Sequence, residues 1–272
     1  MLKVAVVNDF LQVFRQAADW SRLDAIAHVD FFHEHLDTED KAITCLAPYD
    51  VVVTERERTH FTARVLENLP RLRLLVATGS HNRFIDFSAA TRRGITVSGT
   101  DSHRHAAPEL AFGLILALMR RIVTDDRVLR DGGWQSGLGR SLRGKTLGVV
   151  GLGVTGQCML KFADAFGMQT IAWSPHLDNE RARAAGSRRV ELPALMSDAD
   201  VVSLHLVLSE TTRGIIGRRE LALMKPSACL INTSRGALVD EVALLELLST
   251  RRIAGAALDT FDIEPLPVDH TL

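Results

Sequence analysis

Short apolar runs alternate with stretches of helical pattern along the whole chain, and this alternation restricts the possible folds more than any other feature of the sequence. The runs are continuously apolar and rich in β-branched residues, as in parallel strands that are covered on both faces. In chain order they are residues 2–7, 51–54, 72–77, 95–98, 146–150, 170–173, 201–204, 229–232 and 254–258. Strands that alternate with helices build α/β folds. We therefore predict two doubly wound parallel-sheet domains.

A different kind of segment separates the first four runs from the last five. Pro108 suits the first turn of a helix, and Arg120 and Arg121 suit the negative end of the same helix. A glycine-rich loop follows. This change of pattern predicts a first domain over residues 1–101 and a second domain over residues 102–272.

Charge and cysteine content exclude several classes of protein. The 272 residues carry 32 Lys and Arg against 33 Asp and Glu, a net charge of −1, so no broad basic surface is expected for nucleic acid or an anionic membrane. The longest uncharged apolar run, residues 110–119, is about half of what a membrane span needs. Cys45, Cys158 and Cys229 have the spacing of neither a disulfide framework nor a metal site. With no signal-peptide pattern at the start, we expect a cytoplasmic protein.

Three glycines follow the strand at 146–150 and precede a helical pattern. Gly151, Gly153 and Gly156 form a G-x-G-x-x-G motif in this strand-turn-helix context. The first glycine permits a tight turn, the second lets a pyrophosphate approach the backbone, and the third lets helix and strand pack closely. The motif predicts a dinucleotide site, and the alternative is a tight turn without a ligand.

The end of the next strand indicates which dinucleotide is bound. An acidic residue there would bind the ribose hydroxyls of NAD, but this chain has Ser174. No carboxylate would repel a 2′-phosphate, and Arg181 and Arg183 are nearby candidates to bind one, although a solvated helix face is the better explanation of both arginines. The cofactor is therefore NAD or NADP.

Polar residues also follow the last two strands of the second domain. Arg235 lies just after one strand, and Asp259 and Glu264 lie just after the other. Ligands of open α/β sheets bind at the carboxyl ends of the strands, so these three side chains are expected to converge near the glycine turn. A surface ion pair would be the simpler reading of any one of them.

Taken together, these motifs resemble the D-isomer-specific 2-hydroxyacid dehydrogenases over essentially the whole chain. The family includes glyoxylate and hydroxypyruvate reductases, D-lactate dehydrogenases and phosphoglycerate dehydrogenases. The resemblance implies a flavodoxin-like substrate domain, a Rossmann-type cofactor domain and a homodimer. It also implies a hydride transfer between NAD(P)H and a small 2-oxo or 2-hydroxy acid whose identity the sequence does not fix.

The resemblance assigns roles to individual residues. Arg235 would bind the substrate carboxylate and oxo group, Glu264 would orient a histidine and raise its pKa, and Asp259 would hold the nicotinamide carboxamide. The substrate carboxylate would meet backbone amides at Gly79, Ser80 and His81. Residues expected to line the cofactor, besides the three glycines, are Val154, Thr155, Ser174, His205, Thr233 and Ser234.

The chain departs from the family pattern near its end. The catalytic histidine of the family lies in a Pro-His-x-Gly motif beyond the acidic loop, and this sequence stops at Leu272. His270 follows Glu264 too closely to take that role, so we expect a chain that lacks the C-terminal part of the family and that binds cofactor with slow turnover. A dinucleotide-binding protein without catalysis, similar to the corepressors related to this family, is the alternative. Arg235 and Glu264 favour an enzyme.

Overall fold

The computed structural model describes residues 1–79, 82–101, 105–135 and 137–272. The chain divides into two compact units, Met1–His103 and Arg104–Leu272. Each unit is a parallel sheet with helices.

The described residues of the first unit form a five-stranded parallel sheet in the order β2-β1-β3-β4-β5, which is the flavodoxin-like order. The strands are β1 (Leu2–Val7), β2 (Ala27–Phe31), β3 (Val51–Thr54), β4 (Leu74–Ala77) and β5 (Thr96–Gly99). The helices are α1 (Phe14–Ala17), α2 (Ser21–Asp24), α3 (Glu39–Leu46), α4 (Ala63–Glu67) and α5 (Phe87–Arg92). The first half of the fold prediction is therefore confirmed.

A buried carboxylate joins three strands of this sheet at their amino ends. Asp50 immediately precedes β3, and its Oδ2 accepts a hydrogen bond from the Lys3 backbone N–H in β1 at 2.9 Å. Its Oδ1 accepts from the Arg71 guanidinium at 3.0 Å, and its backbone carbonyl accepts from the Arg73 N–H just before β4. The hydrogen bonds and the Arg71 guanidinium keep the pKa of the Asp50 carboxyl below its usual range.

The described residues of the second unit form a six-stranded parallel sheet in the order β8-β7-β6-β9-β10-β11. Numbered within the unit, this is 3-2-1-4-5-6, the Rossmann order. The strands are β6 (Thr146–Val150), β7 (Gln169–Trp173), β8 (Arg188–Arg189), β9 (Val201–Leu204), β10 (Cys229–Asn232) and β11 (Gly255–Leu258). The helices are α6 (Ala106–Met119), α7 (Ile122–Arg130), α8 (Val154–Ala165), α9 (Asn179–Ala184), α10 (Leu192–Asp198), α11 (Arg218–Ala222) and α12 (Glu241–Ser249).

Both faces of this sheet are buried. Leu230 belongs to one hydrophobic cluster and Ile231, the next residue, to the other. Because successive side chains of a strand point to opposite faces, β10 is apolar from Cys229 to Ile231, and only its last residue, Asn232, is polar. This is the physical origin of the continuous apolar runs from which the strands were predicted.

The segment between the two sheets contains one helix more than the sequence indicated. Arg121 has φ +60, which ends α6 and lets α7 begin at Ile122. The sequence predicts one helix that ends near Arg121 and is followed directly by the glycine-rich loop, and that expectation is wrong because α7 lies between them. Every residue of α7 is at least partly exposed. No helix in the described part of the chain is long and apolar enough to cross a membrane.

Candidate active site

The turn between β6 and α8 contains the three glycines of the motif, and its geometry requires two of them. Gly151 has φ +106, and a Cβ built there would lie 2.5 Å from the backbone of His205. A Cβ at Gly156 would lie 2.2 Å from the Gly151 carbonyl oxygen, which would force helix and strand apart. A Cβ at Gly153, in contrast, would meet nothing within 4 Å. Gly151 and Gly156 are needed for packing, whereas Gly153 borders open space.

That open space adjoins the start of α8. Gly153 is the N-cap residue, and no side chain in the described ranges caps the first turn, whose first residues are Val154 and Thr155. Backbone N–H groups at the start of a helix and the positive end of its dipole bind phosphate. The turn therefore fits the pyrophosphate of a dinucleotide.

Ser174, the first residue after β7, is tied to this turn. Its Oγ accepts a hydrogen bond from the Leu152 backbone N–H at 2.8 Å. Beyond it, Arg181 donates from Nη1 to the His176 carbonyl oxygen at 3.1 Å, which steadies the loop after β7. Arg183, the other candidate for a 2′-phosphate, instead borders a cavity beside the amino end of β7. The structure does not bring the two arginines together at Ser174.

His205 follows β9 and packs its backbone against the glycine turn. Its N–H donates to the Val150 carbonyl oxygen at 2.7 Å, and its Nε2 lies 2.8 Å from the Ser203 hydroxyl. Burial lowers the pKa of His205 to about 4, so the imidazole is neutral at neutral pH. It can line a cofactor, but it carries no charge for a phosphate.

The loop after β10 is organised by a residue to which the sequence analysis gave no role. Asn232 is buried, its Oδ1 accepts from the Ser234 N–H at 3.0 Å, and its Nδ2 donates to the Arg235 carbonyl oxygen at 2.9 Å. Ser234 Oγ also donates to the Leu206 carbonyl oxygen at 3.1 Å. Asn232 is thus a positioning residue for Thr233, Ser234 and Arg235. The sequence does indicate this role, because an asparagine at the end of a strand commonly forms side-chain hydrogen bonds with the backbone that follows it.

Arg235 itself is exposed, and its Nη1 donates to the Ser234 carbonyl oxygen at 2.7 Å. The loop that carries it lies directly against the loop after β11, because a Cβ at Gly236 would be 2.2 Å from the backbone of Phe261. The two loops also share a hydrogen bond from the Asp259 N–H to the Asn232 carbonyl oxygen at 3.0 Å. Their backbones are therefore in direct contact.

Glu264 is half-buried in the second of these loops. Its Oε1 accepts a hydrogen bond from the Phe261 backbone N–H at 3.1 Å. Within the second unit the strands are parallel, so the glycine turn, Ser174, His205, Arg235 and Glu264 all lie beyond the same edge of one sheet. This is the edge at which open α/β sheets bind ligands.

The residues expected to meet the substrate carboxylate lie in the first unit. Gly79 has φ +98, and its N–H donates to the Thr100 hydroxyl at 2.9 Å, so that amide already has an acceptor. Ser80 and His81 lie outside the described residues.

His270 is held at the start of α12. Its Nε2 lies 3.0 Å from the Glu241 carboxylate, and its Nδ1 accepts from the Leu272 N–H at 3.2 Å. Its carboxylate partner is therefore Glu241. The described ranges also contain no cluster of three or more His, Cys, Asp and Glu side chains that could hold a metal ion.

Comparison with known proteins agrees with this geometry. Residues 112–272 match the domain described as D-isomer specific 2-hydroxyacid dehydrogenase, NAD binding domain. Glyoxylate reductase from Thermococcus litoralis is 44% identical over 213 residues, which cover 74% of this chain and 64% of the relative. D-3-phosphoglycerate dehydrogenase from Methanocaldococcus jannaschii is 39% identical over 239 residues, covering 86% of this chain and 45% of the relative.

Among solved structures, a phosphoglycerate oxidoreductase from Vibrio cholerae O395 has a TM-score of 0.91 and 34% identity over 100% of this chain and 87% of that chain. The second unit is thus an NAD(P)-binding domain, and the chain belongs to the D-isomer specific 2-hydroxyacid dehydrogenase family. The chain spans less than two thirds of the length of the first two relatives. Both are named as reductase or dehydrogenase, which gives no support to the corepressor-like alternative.

Proposed function

We propose that this protein is an NAD(P)-dependent oxidoreductase that reduces a small 2-oxo acid to the 2-hydroxy acid of D configuration. The contact between the Arg235 and Glu264 loops, beyond the same sheet edge as the glycine turn, carries this proposal. With this contact, a permanent positive charge and a carboxylate lie beyond the strand ends at which we propose that the cofactor binds. Glyoxylate is the first substrate to test, because the relative from T. litoralis is named for it.

The proposed roles follow from the chemistry of each side chain. The Arg235 guanidinium has the planar, permanently charged form that binds the carboxylate and oxo oxygen of a 2-oxo acid. The Glu264 carboxylate, anchored by the Phe261 N–H, would orient the imidazolium that the family supplies from its Pro-His-x-Gly motif and keep it protonated until it donates its proton to the oxo oxygen. Bound NAD(P)H supplies the hydride. We assign substrate contacts in the first unit to Gly79, Ser80 and His81.

The cofactor is proposed to lie along the carboxyl edge of the second sheet. Asp259 would hold the nicotinamide carboxamide, since it follows β11 beside the Asn232 carbonyl. The residues proposed to contact the dinucleotide are Gly151, Gly153, Val154, Thr155, Gly156, Ser174, His205, Thr233 and Ser234.

The direct test follows NADH oxidation with glyoxylate, hydroxypyruvate, pyruvate and phosphohydroxypyruvate. Arg235→Gln should lower kcat/KM by about 10²–10³-fold while NADH still binds, because a charged contact to the reacting carbonyl is lost. Arg219→Gln, an exposed arginine of α11, is the control for the same change of charge and should match the wild type. Equal activity of the two variants would contradict the role of Arg235.

His270 provides a separate test of which histidine takes part. Because its partner is Glu241, we expect His270→Ala to leave kcat and KM unchanged. Loss of turnover in this variant, with NADH binding retained, would make His270 the proton donor. Tight NADH binding with no turnover on any of the four acids in the wild-type chain would instead favour the binding protein without catalysis.

We propose that the chain accepts both NADH and NADPH. The hydroxyl of Ser174 does not repel a 2′-phosphate as an acidic residue would. Ser174→Asp should therefore weaken NADPH relative to NADH by about tenfold or more, whereas the isosteric and neutral Ser174→Asn should not. Strong exclusion of NADPH by the wild type in a fluorescence titration would refute the proposal.

We also propose a homodimer that buries the region of α7. Ile122 and Val123 on this helix, and Trp134 and Leu138 after it, are 55% to 95% exposed. An apolar area of this kind commonly marks a protein interface. Light scattering should give a dimer for the wild type and a larger monomer fraction for Val123→Asp with Leu138→Asp. A monomeric wild type at micromolar concentration would rule this out.

We propose a cytoplasmic location because Cys45, Cys158 and Cys229 are free and Cys229 is buried. Reduced cysteines suit a reducing compartment. Fractionation of the source cells with an antibody against the chain would test it.

A further inference from the structure

A cavity of the cofactor-binding unit lies at the amino ends of the strands, on the side of the sheet opposite to the glycine turn. It has a volume of about 710 Å³ and is bordered by the last turns of α8 and α9 and by the first residues of β7 and β8. The glycine turn follows the carboxyl end of β6, whereas this cavity adjoins the amino end of the neighbouring β7. Five residues of strand at about 3.3 Å each separate the two ends by about 16 Å. The cavity is therefore distinct from the dinucleotide site.

The charges around this cavity are mostly positive. Lys161, Arg183 and Arg188 border it, against one acidic residue, Asp164. All four side chains are exposed, and within the described residues none of the three cations has an ion pair. Lys and Arg on a protein surface commonly pair with carboxylates. Arg189, which follows Arg188 in β8, forms such a pair with Glu191 at 2.8 Å. Three unpaired cations around one concave surface make a site of positive potential.

Besides the charged residues, the lining of the cavity contains a polar side chain and two apolar side chains. The Ser187 hydroxyl oxygen is buried and has no hydrogen-bond partner among the described residues. A buried hydroxyl without a partner is unfavourable, and an anion or an ordered water within reach would satisfy it. Leu160 and Met168, both nearly buried, form the apolar part of the lining.

We propose that this cavity is an accessory site for a small polyanion carrying at least two negative charges on phosphate or carboxylate groups. Arg183 and Arg188 present guanidinium groups that bind either kind of anion through paired hydrogen bonds, and Lys161 adds a point charge. One anionic charge alone would leave two of the three cations without a partner. The site is independent of the reaction at the opposite edge of the sheet.

Isothermal titration of the whole chain with pyrophosphate and, separately, with citrate tests the proposal and distinguishes phosphate from carboxylate. With the dinucleotide site saturated by NADH, we expect one of the two to bind with one site per chain. Displacement by NADH would place the anion in the dinucleotide site and overturn the proposal. Binding of neither probe would overturn it as well.

Four variants test the location. Arg183→Gln and Arg188→Gln should each weaken binding about tenfold, because each removes a charge-assisted hydrogen bond. Asp164→Asn should tighten it several-fold by removing the negative charge of the lining. Arg219→Gln on α11, with the same change of charge outside the cavity, should have no effect. Since all of these side chains are exposed, the fold should be retained, and affinities that do not differ among the four variants would refute the site.

Discussion

At position 153 the requirements of folding and of ligand binding can be separated by mutation. Gly153→Val should leave the thermal unfolding temperature near that of the wild type, because the new side chain enters open space and the φ of Gly153 is −84. The same side chain occupies the place expected for the pyrophosphate, so NADH binding should be lost in a fluorescence titration. Unchanged NADH affinity would refute the placement of the dinucleotide.

Gly156→Ala is the matched comparison. Its Cβ would lie 2.2 Å from the Gly151 carbonyl oxygen and 3.1 Å from Val149 Cγ1, so α8 must move. We expect a loss of about 1–3 kcal/mol in the free energy of unfolding, which urea titration measures. Equal stability of Gly156→Ala and the wild type would show that the turn tolerates a side chain here.

His205 gives a prediction for pH. Its pKa is about 4 in the folded chain and near 6.5 in the unfolded chain, so the unfolded state binds the proton more readily. Stability should therefore fall as the pH drops from about 6.5 toward 4. In urea unfolding at pH 7 and pH 5, His205→Gln should lose less stability than the wild type, since glutamine does not titrate. The exposed His176→Gln should follow the wild type, and a variant of His205 that does so too would contradict the burial of a neutral imidazole.

At the scale of elements, the interior strands were predictable, whereas two of the four edge strands, β2 and β8, were not. The runs at 51–54, 146–150, 201–204 and 229–232 agree with the structure to the residue, because both faces of these strands are covered. Strand β2 alternates apolar and polar residues at an edge of its sheet, and β8 consists of two arginines. Neither has the signal of a buried strand.

The same distinction holds for the site. The position of a polar residue after a strand could be predicted, because parallel strands end at one edge. The packing of the Gly236 loop on Phe261 and the hydrogen bonds of Asn232 could not, since they depend on how two loops fold relative to each other. The helix α7 was likewise not predicted, because the break before it is a change of backbone conformation at Arg121.

The hydrogen bonds through which Asp50 connects β1, β3 and β4 make the stability of the first unit dependent on pH. Its pKa is lowered in the fold, first by the hydrogen bond from Lys3 and then by Arg71, so the carboxylate stabilises the native state at pH values above its unfolded pKa of about 3.9. That stabilisation is lost as the pH falls through the folded pKa. Asp50→Asn should be less stable than the wild type at pH 7 in urea unfolding, and the difference should narrow below about pH 4.

Asp37, an exposed carboxylate of the same unit, is the control for this experiment. Asp37→Asn should unfold like the wild type at neutral pH. Asp50→Asn could instead lower the free energy of unfolding by the same amount from pH 7 to pH 3. In that case the charge of Asp50 does not contribute to stability, and its hydrogen bonds alone do.

At the scale of the whole molecule, each unit has a core of its own. The cluster that contains Val52 and Leu75 draws all its residues from the first unit, and the clusters that contain Leu230 and Ile231 draw theirs from the second. The hydrogen bonds that shape the glycine turn also lie within the second unit. A fragment of residues 104–272 should therefore fold and bind NADH with an affinity within about threefold of the whole chain.

Circular dichroism and NADH fluorescence would check this fragment, with its Gly153→Val variant as the control for specific binding. A fragment that folds but does not bind would show that the first unit contributes to cofactor affinity. A fragment that fails to fold would show that the two cores depend on each other.

The open space beside Gly153 has a consequence for how this chain can evolve. Because a side chain at 153 would enter open space and one at 156 would overlap the backbone, selection for stability or expression should tolerate substitutions at 153 and remove those at 156. A library screened for soluble protein would therefore accumulate chains that have lost the cofactor yet pass every test of folding. Only a selection that includes dinucleotide binding would keep a glycine at 153. The glycine at this position is therefore explained by the ligand and not by the stability of the fold.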